Sequence, residues 1–577
     1  MRPARAYATA VWAAVWFAVV SSMAGSLCAQ EAAARRHTGV PQDWSQNHIV
    51  FSRNALVQHP ELINQEPRVF QQAMQRWQAP NFGVFDGSGP VSTLAGNSAP
   101  HSDWKVTLGG AHIAVNGYPA KFSFSPAAPP DCINDYVVFG LNSASTPVTG
   151  TLANLVAFNN LYAGTSPTGL CGTAPTVLFA YNITTVTGGH IVTSPVISDD
   201  GLKIAFVESV PGAAAASIFH VLTWTAGQGA IGAAVAPTNW VSLPLPLAKN
   251  DTTSSPWVDY PSDTAYVGSA NGALYKITGV FYGTPTLVVT SPWPVTVVNN
   301  SALTSPVLDR NLGMLMVGAA NGNLYQVNAA TGVVAHLRIG QGFNSGIVAA
   351  PIVDVTNGTT FVVSSNCGNS CPAGVSLGAV LAEVDTATLT LLAEANIGQG
   401  SSGGHTRVNL YQPALDNDYY NSNFSTAQIH LCGTGAADTT PWQYAFGFTA
   451  PVAQPIMNTT ASVAQALPTN PANSTAARCT GWTEFFNPNI GAGPGTDFFF
   501  FGLSPDCNAT GAAGGCVEEI GINGATTTTI TNTINGGPTG IVVDNYANSA
   551  TYPQASSIYF VAESVSDAYK LTQNGLQ

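Results

Sequence analysis

Residues 255–332 contain the same sequence pattern twice, and this repeat constrains the fold more than any other feature of the chain. SPWVD at residues 255–259 returns as SPVLD at 305–309, and VGSANGALY at 267–275 returns as VGAANGNLY at 317–325, all at one offset of 50 residues. Each copy predicts a short apolar strand, a turn, a second strand, an Asn-Gly hairpin turn and a third strand. A chain that repeats such a unit folds by packing the copies against one another.

The repeated unit is most of one blade of a β-propeller, a fold in which antiparallel sheets surround a central channel. Apolar inner strands, several of them led by Pro, recur along the chain, and a second strand follows each of them. Eight starts can be assigned, at Pro119, Pro195, Pro256, Pro306, Pro351, Pro413, Trp482 and Gly540. The sequence predicts an all-β, eight-bladed β-propeller, or a seven-bladed one if the start at Trp482 or Pro119 is misassigned.

The last start determines how the ring closes. Only 38 residues run from Gly540 to the end of the chain, which is enough for three strands and tight for four. An unpaired sheet edge invites pairing with another chain, so the ring needs the missing outer strand. We expect the isolated strand at residues 104–108 to supply it and to join the two ends of the chain.

Two segments precede the propeller, which is predicted for residues 103–577. Residues 1–29 have the basic start, the apolar run and the small-residue cleavage site of a secretory signal. A lipoprotein signal is disfavoured because Leu27 precedes Cys28. No other apolar segment is long enough to span a membrane, so we expect no transmembrane segment in the mature chain.

Residues 30–102 form an N-terminal extension with a short helix and a linker at 79–102. Asp43-Trp44 and residues 48–52 are possible anchors on the propeller. A helix is predicted from Pro67, with an apolar face that either plugs or braces the propeller or binds a partner. That face comprises Val69, Phe70, Ala73, Met74 and Trp77.

Charge and cysteine content narrow the partners and the compartment. Without the signal the chain has 15 basic and 30 acidic residues and no basic cluster, which argues against nucleic acid as a partner. Many connectivities are open to the eight remaining cysteines, but sequence proximity favours four local disulfides, and no couple has zinc-site spacing. Disulfides fit a secreted, periplasmic or cell-surface protein. The four couples are Cys132 with Cys171, Cys367 with Cys371, Cys432 with Cys479, and Cys507 with Cys516.

Two passages resemble the repeats of known propellers. Residues 305–332, with NGNLYQVNAATG at 321–332, resemble the PQQ-like repeat of the quinoprotein-type β-propeller superfamily. SPVISDDGLKIAF at 194–206 resembles the repeat of the Tol-system periplasmic propellers. The resemblance implies the fold and not an activity, since non-enzymatic members such as the outer-membrane assembly scaffold use the same repeat to hold partners.

Membership of the quinoprotein dehydrogenases would imply pyrroloquinoline quinone and calcium. The adjacent Cys-Cys pair of such enzymes is not visible, and no Trp recurs at the end of each outer strand. An Asp or Glu set for calcium cannot be picked out either. We therefore predict no cofactor and no metal, with the quinone and calcium as the alternative.

Two similar Gly-rich connections, residues 339–346 and 397–407, precede blades five and six. Glycine lets a loop pass close to a ligand, and the polar side chains offer directional hydrogen bonds. The alternative is that these turns match the tight geometry of the inner ring. His405 with Arg407 is the nearest approach to a catalytic pair, but no nucleophile motif accompanies it. The predicted ligand-binding residues are Gln341, Asn344, Gln399, His405 and Arg407.

Acids recur at the ends of the inner strands, and three histidines lie in apolar strands. The acids could bind a cation or act as a pair on glycosides, but capping of turns is the expected role. The histidines are expected to be core residues with hydrogen-bond partners. The acids are Asp259, Asp309, Asp354, Asp416 and Asp544, and the histidines are His190, His220 and His430.

These features favour a secreted propeller that binds a protein or a glycan through its loop face. Its loops are richer in Ser, Thr, Asn and Gly than in catalytic groups. The alternative is an extracellular enzyme, either a glycan-active hydrolase or lyase or a quinoprotein-type oxidoreductase.

Overall fold

Eight antiparallel sheets follow one another along the chain, each with its inner strand at a central channel. In the computed structural model, inner strands of neighbouring blades contact each other from blade one to two, from three to five and from six to eight, and so do those of the last and first blades. The chain is therefore an eight-bladed β-propeller, as predicted. The two uncertain starts, at Pro119 and Trp482, both begin blades.

The structure describes the propeller and part of the N-terminal extension. The signal segment at residues 1–29 and most of the linker at 79–102 lie outside it. The described residues are 39–51, 62–77, 101–109, 113–124, 130–147, 152–165, 168–210, 216–246, 252–341, 346–367, 378–401, 408–436, 440–449, 454–467, 478–487, 496–504, 514–521, 527–529, 534, 537–544, 554, 557–563 and 566–572.

The N-terminal extension contributes short strands and two helices before the first blade. In chain order they are β1 (Val40–Gln42), a 3₁₀ helix (Trp44–His48), β2 (Ile49–Val50), α1 (Leu62–Gln65), α2 (Pro67–Trp77) and β3 (His101–Thr107). Helix α2 begins at Pro67, as the sequence predicts.

The first four blades include the two repeated units, which form blades three and four. Blade one has β4 (Ala120–Ser123), β5 (Tyr136–Gly140), β6 (Leu155–Asn159) and β7 (Thr176–Tyr181). Blade two has β8 (Val196–Ile197), β9 (Lys203–Glu208), β10 (Ile218–Thr223) and β11 (Trp240–Pro244). Blade three has β12 (Trp257–Asp259), β13 (Thr264–Gly268), β14 (Ala273–Thr278), β15 (Thr286–Leu287) and β16 (Val295–Thr296). Blade four has β17 (Val307–Asp309), β18 (Met314–Gly318), β19 (Asn323–Asn328) and β20 (Val334–Arg338).

The last four blades complete the ring. Blade five has β21 (Ile352–Asp354), β22 (Thr359–Ser364), β23 (Val380–Asp385) and β24 (Thr390–Asn396). Blade six has β25 (Ala414–Leu415), the short helix α3 (Asn417–Tyr420), β26 (Gln428–Thr434), β27 (Pro441–Thr449), β28 (Ile456–Met457) and β29 (Val463–Ala466). Blade seven has β30 (Arg478–Cys479), β31 (Thr483–Asn487), β32 (Thr496–Ser504), β33 (Cys516–Gly521) and β34 (Thr527–Thr529). Blade eight has β35 (Val542–Asp544), β36 (Ser557–Val561) and β37 (Asp567–Thr572).

The chain ends close the ring, because β3 is the outer strand of blade eight. It pairs antiparallel with β37, from His101 opposite Thr572 to Thr107 opposite Asp567. Trp104 is buried, and its Nε1 donates a hydrogen bond to the carbonyl oxygen of Leu161 in blade one at 3.0 Å. The predicted closing strand at residues 104–108 is thus confirmed, starting three residues earlier.

Charged groups are buried on the blades that meet at this closure. Lys570 donates a hydrogen bond to the Asp103 carboxylate, and the Thr572 hydroxyl donates a second at 2.6 Å. Lys121 of blade one lies 2.7 Å from Asp544 of blade eight, and both side chains are inaccessible to solvent. A buried ion is tolerated only beside a counter-ion, so these pairs specify which strands meet.

The extension crosses the channel in two directions. Strand β1 pairs with β4 of blade one and β2 pairs in parallel with β21 of blade five, which lies opposite in a ring of eight. Helix α2 contacts blade three through Arg68 and blade seven through Arg76. Those two blades are also opposite. We call residues 39–51 and 62–77 the channel plug.

Helix α2 is buried on more than its apolar face. Val69 and Ala73 are buried as predicted, but Arg68, Gln72 and Arg76 are buried as well. The channel wall surrounds the helix, so its polar face finds partners on the wall instead of in solvent. The side chains of Met74 and Trp77 lie outside the described part of the chain.

Two predicted disulfides are present, Cys132–Cys171 within blade one and Cys432–Cys479 between blades six and seven. Cys367 and Cys516 are disulfide-bonded too. Their predicted partners, Cys371 and Cys507, lie outside the described residues.

The buried closure pair yields a prediction on stability. Asp103→Ala leaves the Lys570 ammonium buried beside an empty site, so we expect a loss of about 3–5 kcal/mol in the free energy of unfolding. Lys105→Ala is the matched control on the same strand. It removes an exposed ion pair with Asp567 at 3.1 Å and should cost less than about 1 kcal/mol. Urea unfolding curves measure both, and equal losses would contradict the closure role.

Candidate functional site

The propeller has two unlike ends. Each outer strand ends, and the next inner strand begins, at the end that we call the loop face, where residues 397–401 and 408–413 lie. The connections between second and third strands lie there too. The inner strands finish at the opposite end with the recurring aspartates, and we call that end the Asp face.

Gln341 and Gln399 occupy equivalent positions on the loop face, one blade apart. The backbone N–H of Gln341 donates to the Asn366 carbonyl at 2.8 Å, and that of Gln399 donates to the Gly435 carbonyl at 2.9 Å. Each connection thereby joins its own blade to the next one. Asn344, His405 and Arg407 lie outside the described residues, so binding by this set remains a prediction.

Glycine in these connections has a structural cause. Gly398 has a φ of 95°, and a Cβ there would lie 1.8 Å from the Thr434 carbonyl oxygen of blade six. Only glycine fits such a close approach of two backbones. The tight geometry considered as the alternative to ligand binding is therefore present at this position.

Side chains from three blades cross the channel at the loop face. Gln412, which precedes blade six, donates from Nε2 to the Tyr118 hydroxyl of blade one. Asn116 Nδ2 donates to the Gln412 Oε1 at 3.4 Å, and the N–H of Gly481 donates to the Asn116 Oδ1 at 2.8 Å. Burial raises the pKa of Tyr118, which stays a neutral hydroxyl. These contacts narrow the channel mouth.

The plug is anchored by the residues that the sequence suggested as anchors. Trp44 donates from Nε1 to the Pro256 carbonyl at 3.2 Å, and Nδ1 of His48 lies 3.2 Å from the Pro351 carbonyl. Burial lowers the pKa of His48 to about 4, so its imidazole is neutral at physiological pH. Asp43 caps the 3₁₀ helix by accepting from the Ser45 N–H at 2.8 Å.

A small, largely apolar cavity of about 40 Å³ lies between the plug and blades three to five. The Arg68 guanidinium lies over the Trp257 ring at 4.0 Å and 3.3 Å from the Glu66 carboxylate. Burial raises the pKa of Glu66 to about 7, and the Arg68 charge only partly opposes this. Arg310 binds Asp259 at 2.7 Å across the same cavity.

A second small cavity, of about 30 Å³, lies between the plug and blades five to eight. Arg76 donates to both carboxylate oxygens of Glu484, at 2.7 Å for the first, and lies over the Tyr420 ring at 3.5 Å. Burial, reinforced by the Glu484 charge, raises the pKa of nearby Asp497. The charges here are paired with each other, as anchoring of the plug requires.

The strand-end acids serve turns and ion pairs. Asp354 accepts from the Thr356 N–H at 2.9 Å, Asp416 from the Tyr419 N–H at 2.9 Å, and Asp309 from the Leu312 N–H at 3.0 Å. Asp259 and Asp544 pair with cations, as described above. Within the described part of the chain, no three His, Cys, Asp or Glu side chains form a group that could hold a metal ion. The acids therefore do not fit a calcium site there.

The three histidines have different surroundings. His190 Nδ1 lies 2.8 Å from the Gly188 carbonyl, and His220 contacts Glu208 and Ser242. His430 is buried and stacks on Phe499, but neither ring nitrogen has a hydrogen-bond partner among the described residues. The expectation of a polar partner is therefore wrong for His430, whose pKa burial lowers to about 3.

Comparison with known proteins finds similarity among solved structures only. No family model and no curated protein matches it. Among solved structures it is similar to BamB from Moraxella catarrhalis, at 12% identity and a TM-score of 0.39 over 82% of this chain and all of that one. The Dos1 propeller is 10% identical, with a TM-score of 0.47 over 82% of this chain and 95% of that one. Saccharomyces cerevisiae Sqt1 is 12% identical, with a TM-score of 0.49 over 82% of this chain and 99% of that one. Function must therefore be argued from the residues of this chain.

Helices are few and short in the described residues. None of them has both the length and the apolar composition that crossing a bilayer requires.

The raised pKa of Glu66 yields a prediction on pH dependence. Between about pH 4.5 and pH 7 the folded protein holds a proton that the unfolded chain has released, so stability falls as pH rises through this window. Glu66→Gln, which mimics the protonated acid, should flatten the decline of the urea midpoint between pH 5 and pH 8.

The matched control is Asp385→Asn. Hydrogen bonds from Thr388 offset partial burial and lower the pKa of Asp385, so this carboxyl stays ionised throughout the same range. Its substitution should shift the midpoint equally at every pH from 5 to 8. A Glu66→Gln curve parallel to that of the wild type would contradict the assignment.

Proposed function

We propose that this chain is an exported β-propeller that binds a protein or a glycan through its loop face. The observation that carries the proposal is the distribution of connection lengths. Residues 269–272 and 319–322 link the second and third strands of blades three and four, whereas residues 365–379 and 505–515 do so in blades five and seven. Long loops on a rigid scaffold are the usual site of recognition.

Connections of this kind are also longer in blades one and two, at residues 141–154 and 209–217, but the disulfide-bonded cysteines single out those of blades five and seven. Cys367 at the start of the blade-five connection and Cys516 directly after the blade-seven connection are disulfide-bonded, and Cys432–Cys479 links blade six to blade seven. A cross-linked loop loses less conformational entropy when it binds. Together with the glycine-rich connections, this makes blades five to seven the proposed contact region.

The proposed contacts are polar. Gln341, Asn344, Gln399, His405 and Arg407 supply amide, imidazole and guanidinium groups of the kind that hydrogen-bond to backbone amides or sugar hydroxyls. Only 8% of residues are charged, so recognition by directional hydrogen bonds is favoured over recognition by charge. The acidic net charge of −13 disfavours nucleic acid.

Export is supported by two independent features. The first 29 residues have the pattern of a secretory signal, and disulfides stabilise extracytoplasmic proteins. We therefore place the protein outside the cytoplasm, in the periplasm, at the cell surface or in the medium.

Binding is tested by substitution on the proposed face. We expect Gln399→Ala combined with Arg407→Ala to weaken binding at least tenfold, measured on a glycan array and by cross-linking mass spectrometry with extracts of the native host. Gln465→Ala is the control, since Gln465 is exposed on the outer strand β29. Retention of every ligand by the double variant would contradict the proposed face.

A further inference from the structure

Three side chains on blade two, those of Ser242, His220 and Glu208, are hydrogen-bonded in a line. Ser242 Oγ lies 2.9 Å from Nδ1 of His220, and Nε2 of the same imidazole lies 3.0 Å from the Glu208 carboxylate. Both distances are those of direct hydrogen bonds. A serine hydroxyl, an imidazole and a carboxylate in this order are the parts of a serine hydrolase, although here Nδ1 faces the serine and Nε2 the carboxylate, the reverse of the Ser-His-Asp triad.

Strand register brings the three residues together. His220 on β10 lies opposite Ser242 on β11 and diagonal to Glu208 on β9, so their side chains project from one face of the blade. The three residues lie on three consecutive strands, 12 and 22 positions apart, and no local sequence motif contains them. The carboxylate and the imidazole are inaccessible to solvent, whereas Ser242 is exposed.

Hydrogen bonds to Glu208 define the protonation of the imidazole. The carboxylate accepts from the Thr185 N–H at 2.8 Å and from the Thr185 hydroxyl at 2.6 Å, so its oxygens act as hydrogen-bond acceptors. His220 then donates from Nε2 to Glu208, which leaves Nδ1 to accept the Ser242 proton. Burial lowers the pKa of His220, against the opposing effect of Glu208, so the free imidazole is neutral.

Aromatic rings hold the imidazole in place. The Trp240 ring stacks on it with centroids 4.7 Å apart and an interplanar angle of 14°, and Phe206 stacks on it at 5.2 Å. A base held in one orientation is what proton transfer needs.

The open edge of the blade supplies space and a donor. Thr223 donates to Asn239 and Leu245 donates to Ser217, which marks these residues as hydrogen-bonded pairs of the β10–β11 ladder. Alternation along the ladder makes His220 and Ser242 a non-hydrogen-bonded pair. The N–H of Ser242 therefore points away from β10, where it can donate to an oxyanion that forms on the hydroxyl side.

We propose that Ser242, activated by His220 and Glu208, hydrolyses short-chain acyl esters at the rim of blade two. The Ser242 oxygen attacks the ester carbonyl carbon while its proton passes to Nδ1 of His220. The tetrahedral intermediate expels the alcohol, which takes that proton, and leaves an acyl-serine. Water, deprotonated by His220, then attacks the acyl carbon. The bond from that carbon to the Ser242 oxygen breaks, this oxygen takes the proton back from His220, and the carboxylic acid is released.

The surroundings of Ser242 select the substrate class. Both cavities described above lie in the channel, so the acyl group at Ser242 meets a shallow surface. Trp240 and Pro244 project from the same face of β11 as Ser242, one on either side. An acetyl group on a bulky alcohol such as a sugar fits this position, because the acyl part is small and the alcohol extends into solvent.

The test is labelling and turnover by the purified full-length protein. A fluorophosphonate probe should label Ser242, identified by peptide mass spectrometry, and 4-nitrophenyl acetate should be hydrolysed. Ser242→Ala should abolish both, and Ser102→Ala, an exposed serine on the outer strand of blade eight, should change neither. His220→Gln should slow labelling by about 10²–10⁴-fold, the range of general-base catalysis.

Two further measurements keep the test decisive. The labelling rate should rise with pH with a midpoint below 6.5, following deprotonation of His220, and circular dichroism should show each variant folded. An unlabelled Ser242 in folded wild-type protein, or esterase activity unchanged in Ser242→Ala, would overturn the proposal.

Discussion

The structure depends on one pairing, that of a strand from the beginning of the chain with the last strand. Blade eight has only three strands of its own, and β3 completes it from residues that precede blade one. Without β3, the outer edge of β37 would be open and the first and last blades would lack their covalent link. The buried Asp103–Lys570 pair then joins β3 to β37 within blade eight, and Lys121–Asp544 joins blade one to blade eight.

The channel plug decides where function can reside. A propeller with an open channel offers a central site, but here two opposite pairs of blades are bridged by the extension and the loop-face mouth is narrowed by Tyr118 and Gln412. Buried charges such as Arg76 and Glu484 are used to fasten the plug. The surfaces left for ligands are the long loops of blades five to seven and the exposed rim, which are the two places where we propose binding and ester hydrolysis.

Much of the fold could be predicted from the sequence because blades are local. An inner strand, its turn and its hairpin lie within one unit of about 50 residues, so apolar periodicity and Asn-Gly turns report them directly. The closing strand could be predicted because the 38 residues from Gly540 onward are too few for four strands with their turns. The crossing of the plug was not, because β1 and β2 are too short to show periodicity and because Arg68 and Arg76 contact residues roughly 190 and 408 positions away.

The candidate site was less predictable for the same reason. Gln341 and Gln399 stand out as members of a repeated loop, whereas Glu208, His220 and Ser242 are joined only by the register of β9, β10 and β11. A buried histidine in an apolar strand is predicted to be a core residue until its hydrogen-bond partners are known. His430 has no such partner among the described residues, whereas His220 has two, and the sequence does not distinguish them.

The central claim, a ring closed by β3 and β37, is tested most directly by a cross-strand disulfide. Lys105 and Tyr569 are opposite each other in the register, so Lys105→Cys with Tyr569→Cys should oxidise to a bond that peptide mapping assigns to those two positions. This bond should form within one chain at nearly full yield in folded protein. Two cysteines that both remain free to react with an alkylating reagent under the same conditions would contradict it.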